Sequence, residues 1–471
     1  MSRRISSFRT GRVQGYLRGR VWYLCYHENG KRRRPRVGPD REAARQLSAQ
    51  VNAQLEVGAP VALSFEPISL VDLCQRWLSH HEDVLRSSVQ TVARYRTATA
   101  HLLRFVAEVQ PIRLASQFHV HHAEAFVRYL RGLRVSPNGH ANTAKRLLMD
   151  KGLIYILECC RALFNYAGKR RHLSPYAENP FSALELERIP IEHARPIRLL
   201  TAEQERVFLE ACDDWQFPVF LTLMLTGLRP GELTHLLLPD DLDLQEGLLR
   251  VRNKPKLGWQ TKTRNDRDIP LMPALRDVLR WYLGDRQHGP VFRRRRVSAR
   301  WDAATPVVDF TGYVANLEQE GGQTMSRAQR LRAARRFWRE LGAVRTDWIR
   351  TEFARLTTAI GLADCTAPKV LRHGFATALQ QGRVDPLIRN ELMGHVAAGS
   401  RSPGHGLAMT AVYTHTQPQT RREQLEAALA RHPAVAVADA WLPKHPRAGA
   451  SAPNPICART PITAIQRSCL A

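Results

Sequence analysis

The C-terminal half of the chain carries cationic side chains and a tyrosine whose types suit the rearrangement of a phosphodiester bond. Such a transesterification needs a nucleophile in line with phosphorus, positive donors on the non-bridging oxygens, and an acid that protonates the leaving alkoxide. Arginine suits the second task, because its planar guanidinium grips phosphate bidentately and keeps its charge. The candidates are Arg229 and Glu232 in "TGLRPGEL", Lys262 in "QTKTRNDRDIPL", Lys369, Arg372 and His373 in "KVLRHGFAT", His395 in "LMGH" and Tyr413 in "YTH".

The local sequence around these cations indicates how each could be held. Arg229 stands where a loop enters a helix, and a helix N-terminus already favours phosphate. Glu232 follows one turn later and could orient that arginine. Lys262 lies on or beside a turn between strands, from which a flexible ammonium could reach a leaving oxygen, although Lys254 and Lys256 are close by. Arg372 is predicted at the start of a second helix.

Taken in order, these segments resemble the boxes of the tyrosine recombinase (phage integrase) family. That family carries "TGLRxSEL", a hairpin lysine, "HxLRHTFAT", "LGH" and "YTH" in the same sequence. "RALFNYA" followed by "NPF" resembles the end of the family's helical core-binding domain, and the N-terminal hairpin and helix resemble its arm-binding module. The resemblance covers roughly residues 65–430.

The resemblance implies a role for each residue. Arg229 and Arg372 would clamp the scissile phosphate, with Glu232 and His373 in support. Lys262 would protonate the 5′ oxygen, and His395 would hydrogen-bond the phosphate or assist the tyrosine. Tyr413 would attack and form a 3′-phosphotyrosine. That bond conserves the phosphodiester energy, so we expect no cofactor and no metal, and the sequence contains no P-loop.

The sequence departs from the family pattern at two places. Lys369 stands where "HxLRH" has its first histidine, and lysine is a poor base at neutral pH. His395 and Tyr413 are 18 positions apart (413 − 395), which exceeds the usual spacing. "AAGSRSPGHGLAMT" therefore reads as an insertion over about 397–410, and His405 within it is a minor rival for the histidine role. Tyr413 is the last tyrosine of the sequence and the only one after Arg372.

Charge and composition favour a protein that binds nucleic acid. Lys and Arg total 70 against 43 acidic residues, for a net charge of +27, while 44% of residues are hydrophobic, as in a globular protein. No apolar run is long enough for a membrane span, and the N-terminus lacks a secretory pattern. The eight cysteines form no CxxC pair, which fits a reducing cytoplasm. We expect double-stranded DNA as the partner and a cytoplasmic, nucleoid-associated protein of bacteria.

The predicted fold is mainly α with small β-sheets (α+β). We expect a basic arm-type DNA-binding module over 1–62, a helical core-binding domain over 66–185, a catalytic domain over 196–435, and a loosely ordered tail over 436–471. The catalytic domain is predicted to contain an irregular insertion at about 286–345. Residues that could contact DNA in the first two domains are Arg32, Arg33, Arg34, Lys145 and Arg146.

Helix and turn signals support this organisation. Asn29-Gly30 predicts a hairpin. Ser69 predicts a helix start, and Thr201 with Gln204 predicts a capping box. The fourth helix of the core-binding domain is predicted over 143–166. "TRREQLEAALARH" has amphipathic spacing at Leu425, Ala428 and Leu429, which suits a helix that docks on a neighbouring protomer or packs on its own domain.

Recombination needs four cleavages, so the resemblance implies a homo-tetramer on paired DNA sites and a monomer or weak oligomer without DNA. An accessory DNA-bending protein could take part. Two alternatives remain: a type IB topoisomerase-like nicking-closing enzyme, and a non-catalytic integrase remnant or accessory protein. Asp240, Asp241 and Asp243 could suggest a metal-dependent nuclease, but the sequence offers no matching carboxylates elsewhere.

Overall fold

The computed structural model of the chain describes residues 7–59, 61, 63, 65–136, 142–173, 177–192, 198–295, 310–395 and 416–446. The chain divides into two compact units, 1–195 and 196–471. Within the described ranges, no helix combines the length and apolar character needed to cross a membrane. The predicted fold class is confirmed: helices dominate both units, and the sheets are small and antiparallel.

The first unit begins with a small antiparallel sheet and one helix. Asn29 and Gly30 both have positive φ angles, of 49° and 73°, and close the predicted hairpin. Val13, Leu24 and Val51 are buried between the sheet and the helix. The elements are β1 (Ser7–Thr10), β2 (Val13–Arg18), β3 (Val21–Glu28), β4 (Lys31–Arg33), β5 (Arg36–Gly38) and α1 (Arg41–Glu56).

A helical domain completes the first unit. Ser69 caps its first helix as predicted, with its hydroxyl accepting from Asp72 N at 3.0 Å. The fourth helix begins at Asp150, later than predicted, because Arg146–Leu147 pairs as a strand with Arg134–Val135. The elements are α2 (Leu70–Ser79) with a π-helical turn at His80–Val84, α3 (Val89–Glu108), α4 (Val120–Gly132), β6 (Arg134–Val135), β7 (Arg146–Leu147) and α5 (Asp150–Lys169), with 3₁₀ turns at Ala115–Gln117, Ser182–Leu184 and Leu186–Arg188.

The second unit is built around an apolar helix. That helix, Gln216–Thr226, is buried on every side, as its uniformly apolar sequence predicts. Thr201 and Gln204 form the predicted capping box of the preceding helix. The first half of the unit contains α6 (Ala202–Glu210), α7 (Gln216–Thr226), α8 (Pro230–Leu233), β8 (Leu237–Leu238), β9 (Leu242–Asp243), β10 (Leu248–Val251), a 3₁₀ turn at Pro255–Leu257, β11 (Arg267–Pro270), α9 (Pro273–Leu283) and β12 (Gly289–Pro290).

The structure corrects parts of two predictions for the second half of this unit. The segment predicted as irregular contains two helices, since Ala333, Ala334, Phe337 and Trp338 give one of them a buried face. The tail predicted over 436–471 begins inside a helix in which Ala434, Ala438 and Trp441 are buried, and its residues 447–471 lie outside the described residues. The elements are α10 (Phe310–Gly321), α11 (Arg327–Glu340), α12 (Thr346–Ala359), α13 (Lys369–Gln381), α14 (Pro386–Met393), α15 (Pro418–Leu429), α16 (Pro433–Trp441) and a 3₁₀ turn at Leu442–Lys444.

Candidate active site

Glu232 orients Arg229 through two contacts. Arg229 is the N-cap residue of α8, and Pro230 occupies the first helical position, where its missing N–H costs nothing. The backbone N–H of Arg229 donates to Glu232 Oε2 at 2.9 Å, and its guanidinium Nη1 donates to Oε1 at 2.8 Å. The Arg229 side chain is 24% exposed while that of Glu232 is 3% exposed. Glu232 therefore fixes one edge of the Arg229 guanidinium, and the guanidinium still reaches solvent.

A second arginine, Arg267, shares the same carboxylate and was not anticipated from the sequence. It opens β11, and its Nη2 and Nη1 donate to Glu232 Oε2 and Oε1 at 2.6 and 3.2 Å. Its Nε donates to the carbonyl oxygen of Leu392 at 3.0 Å. Burial alone would raise the pKa of Glu232, but hydrogen bonds and charges from Arg267 and Arg229 lower it below its ordinary value. The carboxylate therefore stays ionised.

Arg372 lies in the first turn of α13 and is only 8% exposed. Its Nη1 donates to the carbonyl oxygen of Gly227 at 2.5 Å, and its Nη2 donates to the carbonyl oxygen of Met393. Burial, and then the charge of Arg229, lower the pKa of Arg372 to about 10, so it remains charged at neutral pH. Backbone carbonyls hold this guanidinium, and within the described residues no carboxylate bonds to it.

The site has excess positive charge. Three guanidinium groups, those of Arg229, Arg267 and Arg372, surround one carboxylate, that of Glu232. Burying unpaired charge costs free energy unless a counter-ion is supplied. The arrangement therefore favours a bound anion, and arginines presented by two different helices suit the oxygens of a phosphate.

His395 lies beside Arg372, just after the end of α14. Its Nε2 is 3.4 Å from Nη2 of Arg372. Partial burial, and then the charges of Arg372, Arg229 and Arg267, lower the pKa of His395 below its ordinary value. The imidazole is therefore neutral at neutral pH. Gly394 precedes it with a φ of 58°, and a Cβ there would lie 2.6 Å from Nη1 of Arg267, so a glycine is needed at this point.

Lys262 lies in the connection between β10 and β11. It is exposed, and it makes no hydrogen bond or ion pair with any residue that the structure describes. The adjacent Thr263 donates to the carbonyl oxygen of Gly394 at 3.3 Å, which brings this connection beside His395. Lys254 is tied elsewhere, with its Nζ 2.7 Å from Asp241 Oδ2. Compared with Lys254, Lys262 is therefore the better candidate for a leaving-group acid.

Lys369 and His373 share helix α13 with Arg372. Lys369 is exposed at the first residue of the helix, and His373 is partly buried one turn further on. Burial, then the charges of Lys369 and Arg372, lower the pKa of His373. The structure thus brings together Arg229, Glu232, Arg372 and His395 and places the Lys262 connection next to them. Tyr413 and His405 lie outside the described residues.

Two of the three aspartates that could have suggested a metal-dependent nuclease have ion-pair partners. Asp241 pairs with Lys254, and Asp243 Oδ2 lies 3.0 Å from Nη2 of Arg250. In the part of the chain that the structure describes, no group of three His, Cys, Asp or Glu side chains could hold a metal ion. These carboxylates therefore serve as structural ion-pair partners.

The basic candidates of the first unit lie at its surface. Arg32 and Arg34 are exposed beside the β3–β4 hairpin, whereas Arg33 is partly buried with its Nε 3.5 Å from Glu28 Oε2. Lys145 and Arg146 are exposed at the short β6–β7 pair. Arg33 therefore has a local structural partner. The other four side chains are exposed, and the Nε of Arg32 donates to Cys25 Sγ at 3.2 Å.

Comparison with known proteins gives sequence matches across the candidate site. Residues 198–420 match the model of the phage integrase family. A tyrosine recombinase XerC of Rhodospirillum centenum is 27% identical over 368 residues, which is 74% of this chain and 86% of the relative. A tyrosine recombinase XerC of Thermodesulfovibrio yellowstonii is 28% identical over 233 residues, which is 48% of this chain and 60% of the relative. The family match includes every candidate from Arg229 to Tyr413.

Solved structures of integrases are also similar to the chain. The Tn1549 transposon integrase in complex with a circular intermediate DNA has 18% identity over 76% of this chain and 99% of that chain, with a TM-score of 0.48. A lambda integrase dimer bound to a core site has 14% identity over 88% of this chain and 99% of that chain, with a TM-score of 0.44.

Proposed function

Because the chain belongs to the tyrosine recombinase, or phage integrase, family, we propose that it cuts and rejoins DNA at defined sites through a 3′-phosphotyrosine intermediate and so integrates or excises a mobile element. The observation that carries this proposal is the pair of arginines on α8 and α13. Glu232 orients Arg229, and backbone carbonyls hold Arg372. The surplus positive charge of the guanidinium groups matches a phosphodiester.

In the proposed cleavage step, the Tyr413 hydroxyl oxygen attacks phosphorus and the bond from phosphorus to the 5′ oxygen breaks. The phenol proton goes to a base, for which neutral His395 is the nearest candidate to Arg372. The leaving 5′ oxygen takes a proton from the Lys262 ammonium. One phosphodiester is exchanged for another, so the step needs no oxidant, reductant or nucleotide.

Rejoining is the same step in reverse. A 5′ hydroxyl from the partner strand attacks the phosphotyrosine, Lys262 accepts its proton, and Tyr413 leaves.

Thr416, three residues after Tyr413 in the sequence, donates to Glu391 Oε1 on α14 at 3.3 Å, and α14 leads directly into His395. This connection supports Tyr413 as the nucleophile. Lys369 would contact the DNA phosphate as a hydrogen-bond donor.

We further propose that four protomers assemble on two paired DNA sites and that the protein is a monomer or weak oligomer without DNA. Helix α15 packs on its own unit, with Leu425 and Leu429 fully buried. A free protomer therefore covers the apolar face of this helix without a neighbour. DNA bending by an accessory protein is compatible with this arrangement.

The test uses duplex DNA from the junctions of the element that carries the gene, nicked next to the expected cleavage point so that the released strand diffuses away. A denaturing gel then reports the covalent protein–DNA adduct for the native chain and for Tyr413→Phe. Tyr282→Phe, on α9, is the matched control, because it removes a hydroxyl that is buried in the core of the same unit.

We expect an adduct from the native chain and the control, and none from Tyr413→Phe. An adduct that persists in Tyr413→Phe would move the nucleophile to another residue. Tight DNA binding with no adduct from any variant would favour the non-catalytic alternative. Relaxation of any supercoiled plasmid, regardless of sequence, would favour the topoisomerase-like alternative.

A further inference from the structure

Helices α10 and α11 form a hairpin that packs against the connection carrying Lys262. The indole Nε1 of Trp338 donates to the carbonyl oxygen of Leu257 at 2.9 Å. Gly258 has a φ of +67°, and a Cβ there would lie 2.4 Å from the Cβ of Ala334, so the hairpin touches the backbone directly. Phe310, Phe337 and Trp338 belong to a separate small core beneath the hairpin. The hairpin is thus fixed four residues away from Lys262.

The outer face of α11 is basic. The helix contains six arginines and one glutamate between Arg327 and Glu340. Arg332, Arg335 and Arg339 recur at spacings of three and four, so they share one face, and all three are exposed. The buried residues of the helix lie on the opposite face. Arg332 and Arg335 make no hydrogen bond or ion pair with any residue in the described ranges.

Folding alone does not account for this pattern. Like charges three or four residues apart destabilise a helix by roughly 0.2–0.5 kcal/mol per pair. Two other arginines of α11 have local acidic partners, Arg330 with Glu318 at 2.9 Å and Arg336 with Glu340 at 2.7 Å. The unpaired arginines are therefore confined to the outer stripe.

We propose that this stripe, Arg332, Arg335 and Arg339, lies along the sugar-phosphate backbone of duplex DNA beside the bond that is cut. This inference rests on the proposed function. The three side chains span about 10 Å of helix, over which a B-form duplex carries about six negative charges. A rigid helix fixed beside Lys262 would bind any sequence equally. It would anchor the DNA on the side of the catalytic lysine.

The experiment measures binding of the full chain to a fluorescein-labelled 40-bp duplex of arbitrary sequence between about 50 and 300 mM salt. Each phosphate contact contributes roughly 0.9 to the slope of log affinity against log salt. Arg332→Gln/Arg335→Gln removes two unpaired cations. Arg330→Gln/Arg336→Gln is the control, since it removes the same charge from the same helix but from residues that pair with glutamates. Arg332→Lys/Arg335→Lys retains the charges.

We expect the unpaired variant to lose up to about two units of slope. The control should lose less than half of that, and the lysine variant should match the native chain. Equal losses of slope in the unpaired variant and the control would mean that these arginines attract DNA only through the overall charge of the protein. Unchanged binding in the unpaired variant would mean that the stripe faces solvent and does not contact DNA. Either result overturns this inference alone. Failure of the native chain to bind DNA would overturn the proposed function as well. Matching thermal melts would establish that all variants are folded.

Discussion

Glu232 and Arg267 form an ion pair with both partners almost fully buried, at 3% and 4% exposure, and the shorter of its two contacts is 2.6 Å. The pair joins three distant segments of the chain. Glu232 also holds Arg229, and Arg267 also bonds to Leu392 at the end of α14. The position of one candidate phosphate-binding arginine therefore depends on a second arginine that need not touch DNA at all.

We expect Arg267→Met to lower the free energy of unfolding by about 3–5 kcal/mol, because it leaves Glu232 buried with half of its partners. Arg250→Met breaks the more exposed pair with Asp243 and should cost under about 1 kcal/mol. Urea titrations of both variants measure the difference. If the two variants lose the same free energy of unfolding, the buried pair does not fix the site.

We expect Lys262 to protonate the leaving 5′ oxygen. This role can be tested by combining a Lys262 substitution with a DNA substrate whose leaving group needs no proton. Lys262→Ala should slow adduct formation about 10²- to 10⁴-fold on ordinary DNA, the usual range for a general acid. A substrate with sulfur in place of the 5′ bridging oxygen leaves as a thiolate, which needs no proton. We expect the variant to regain nearly native rates on that DNA in single-turnover assays. A defect of equal size on both substrates would instead assign Lys262 to phosphate binding.

Protonation of His395 should set the pH below which the rate of adduct formation declines. Burial and the neighbouring arginines lower its pKa, so it remains neutral, and able to accept a proton, at pH values below the ordinary histidine range. At sub-saturating DNA, the rate of adduct formation should hold level as the pH falls through 6.5 and decline only below it. His395→Gln should be slower by about 100-fold or more and lack that decline. A native rate that already falls between pH 8 and 6.5 would contradict this role.

Local pattern was enough to predict part of the site. Arg229, Pro230 and Glu232 are within four residues, so their capping geometry follows from helix rules alone. Arg372 and His395 were found from their segments, and the structure brings them to 3.4 Å. The roles assigned to these residues remain predictions, as does that of Tyr413.

Arg267 was missed because its partners are far away in the sequence. Glu232 is 35 residues distant and Leu392 is 125, and no helical or strand period links them. Its one local signal was an arginine at the start of the apolar strand segment "RDIPL". Helix α11 was missed for a different reason. The whole segment of about 286–345 was predicted as one irregular insertion, although Ala333, Ala334, Phe337 and Trp338 already had helical spacing.

A second buried pair, Glu205 and His432, joins α6 to the start of α16. The His432 Nδ1 accepts from Ala434 N at 3.2 Å, so the proton of the neutral ring lies on Nε2, which is 3.5 Å from Glu205 Oε2. Burial raises the pKa of Glu205 to about 7 and lowers that of His432 to about 4. Both groups are therefore largely uncharged near pH 6.

These shifts have opposite effects on stability. Folded Glu205 keeps a proton that the unfolded chain has lost, so its contribution is complete below about pH 4.5 and is lost as the pH rises through about 7. The contribution of neutral His432 is present above 6.5 and is lost as the pH falls through about 4. Replacing the carboxyl by an amide of the same shape removes the first effect and leaves the second.

We therefore expect the stability of Glu205→Gln relative to the native chain to rise by about 2–3 kcal/mol between pH 5 and pH 8. Urea titrations at several pH values in that range measure the difference. Glu203→Gln, on the exposed side of the same helix, is the control and should show no comparable rise. A constant difference between Glu205→Gln and the native chain would mean that the Glu205 carboxyl ionises as readily in the folded protein as in the unfolded chain.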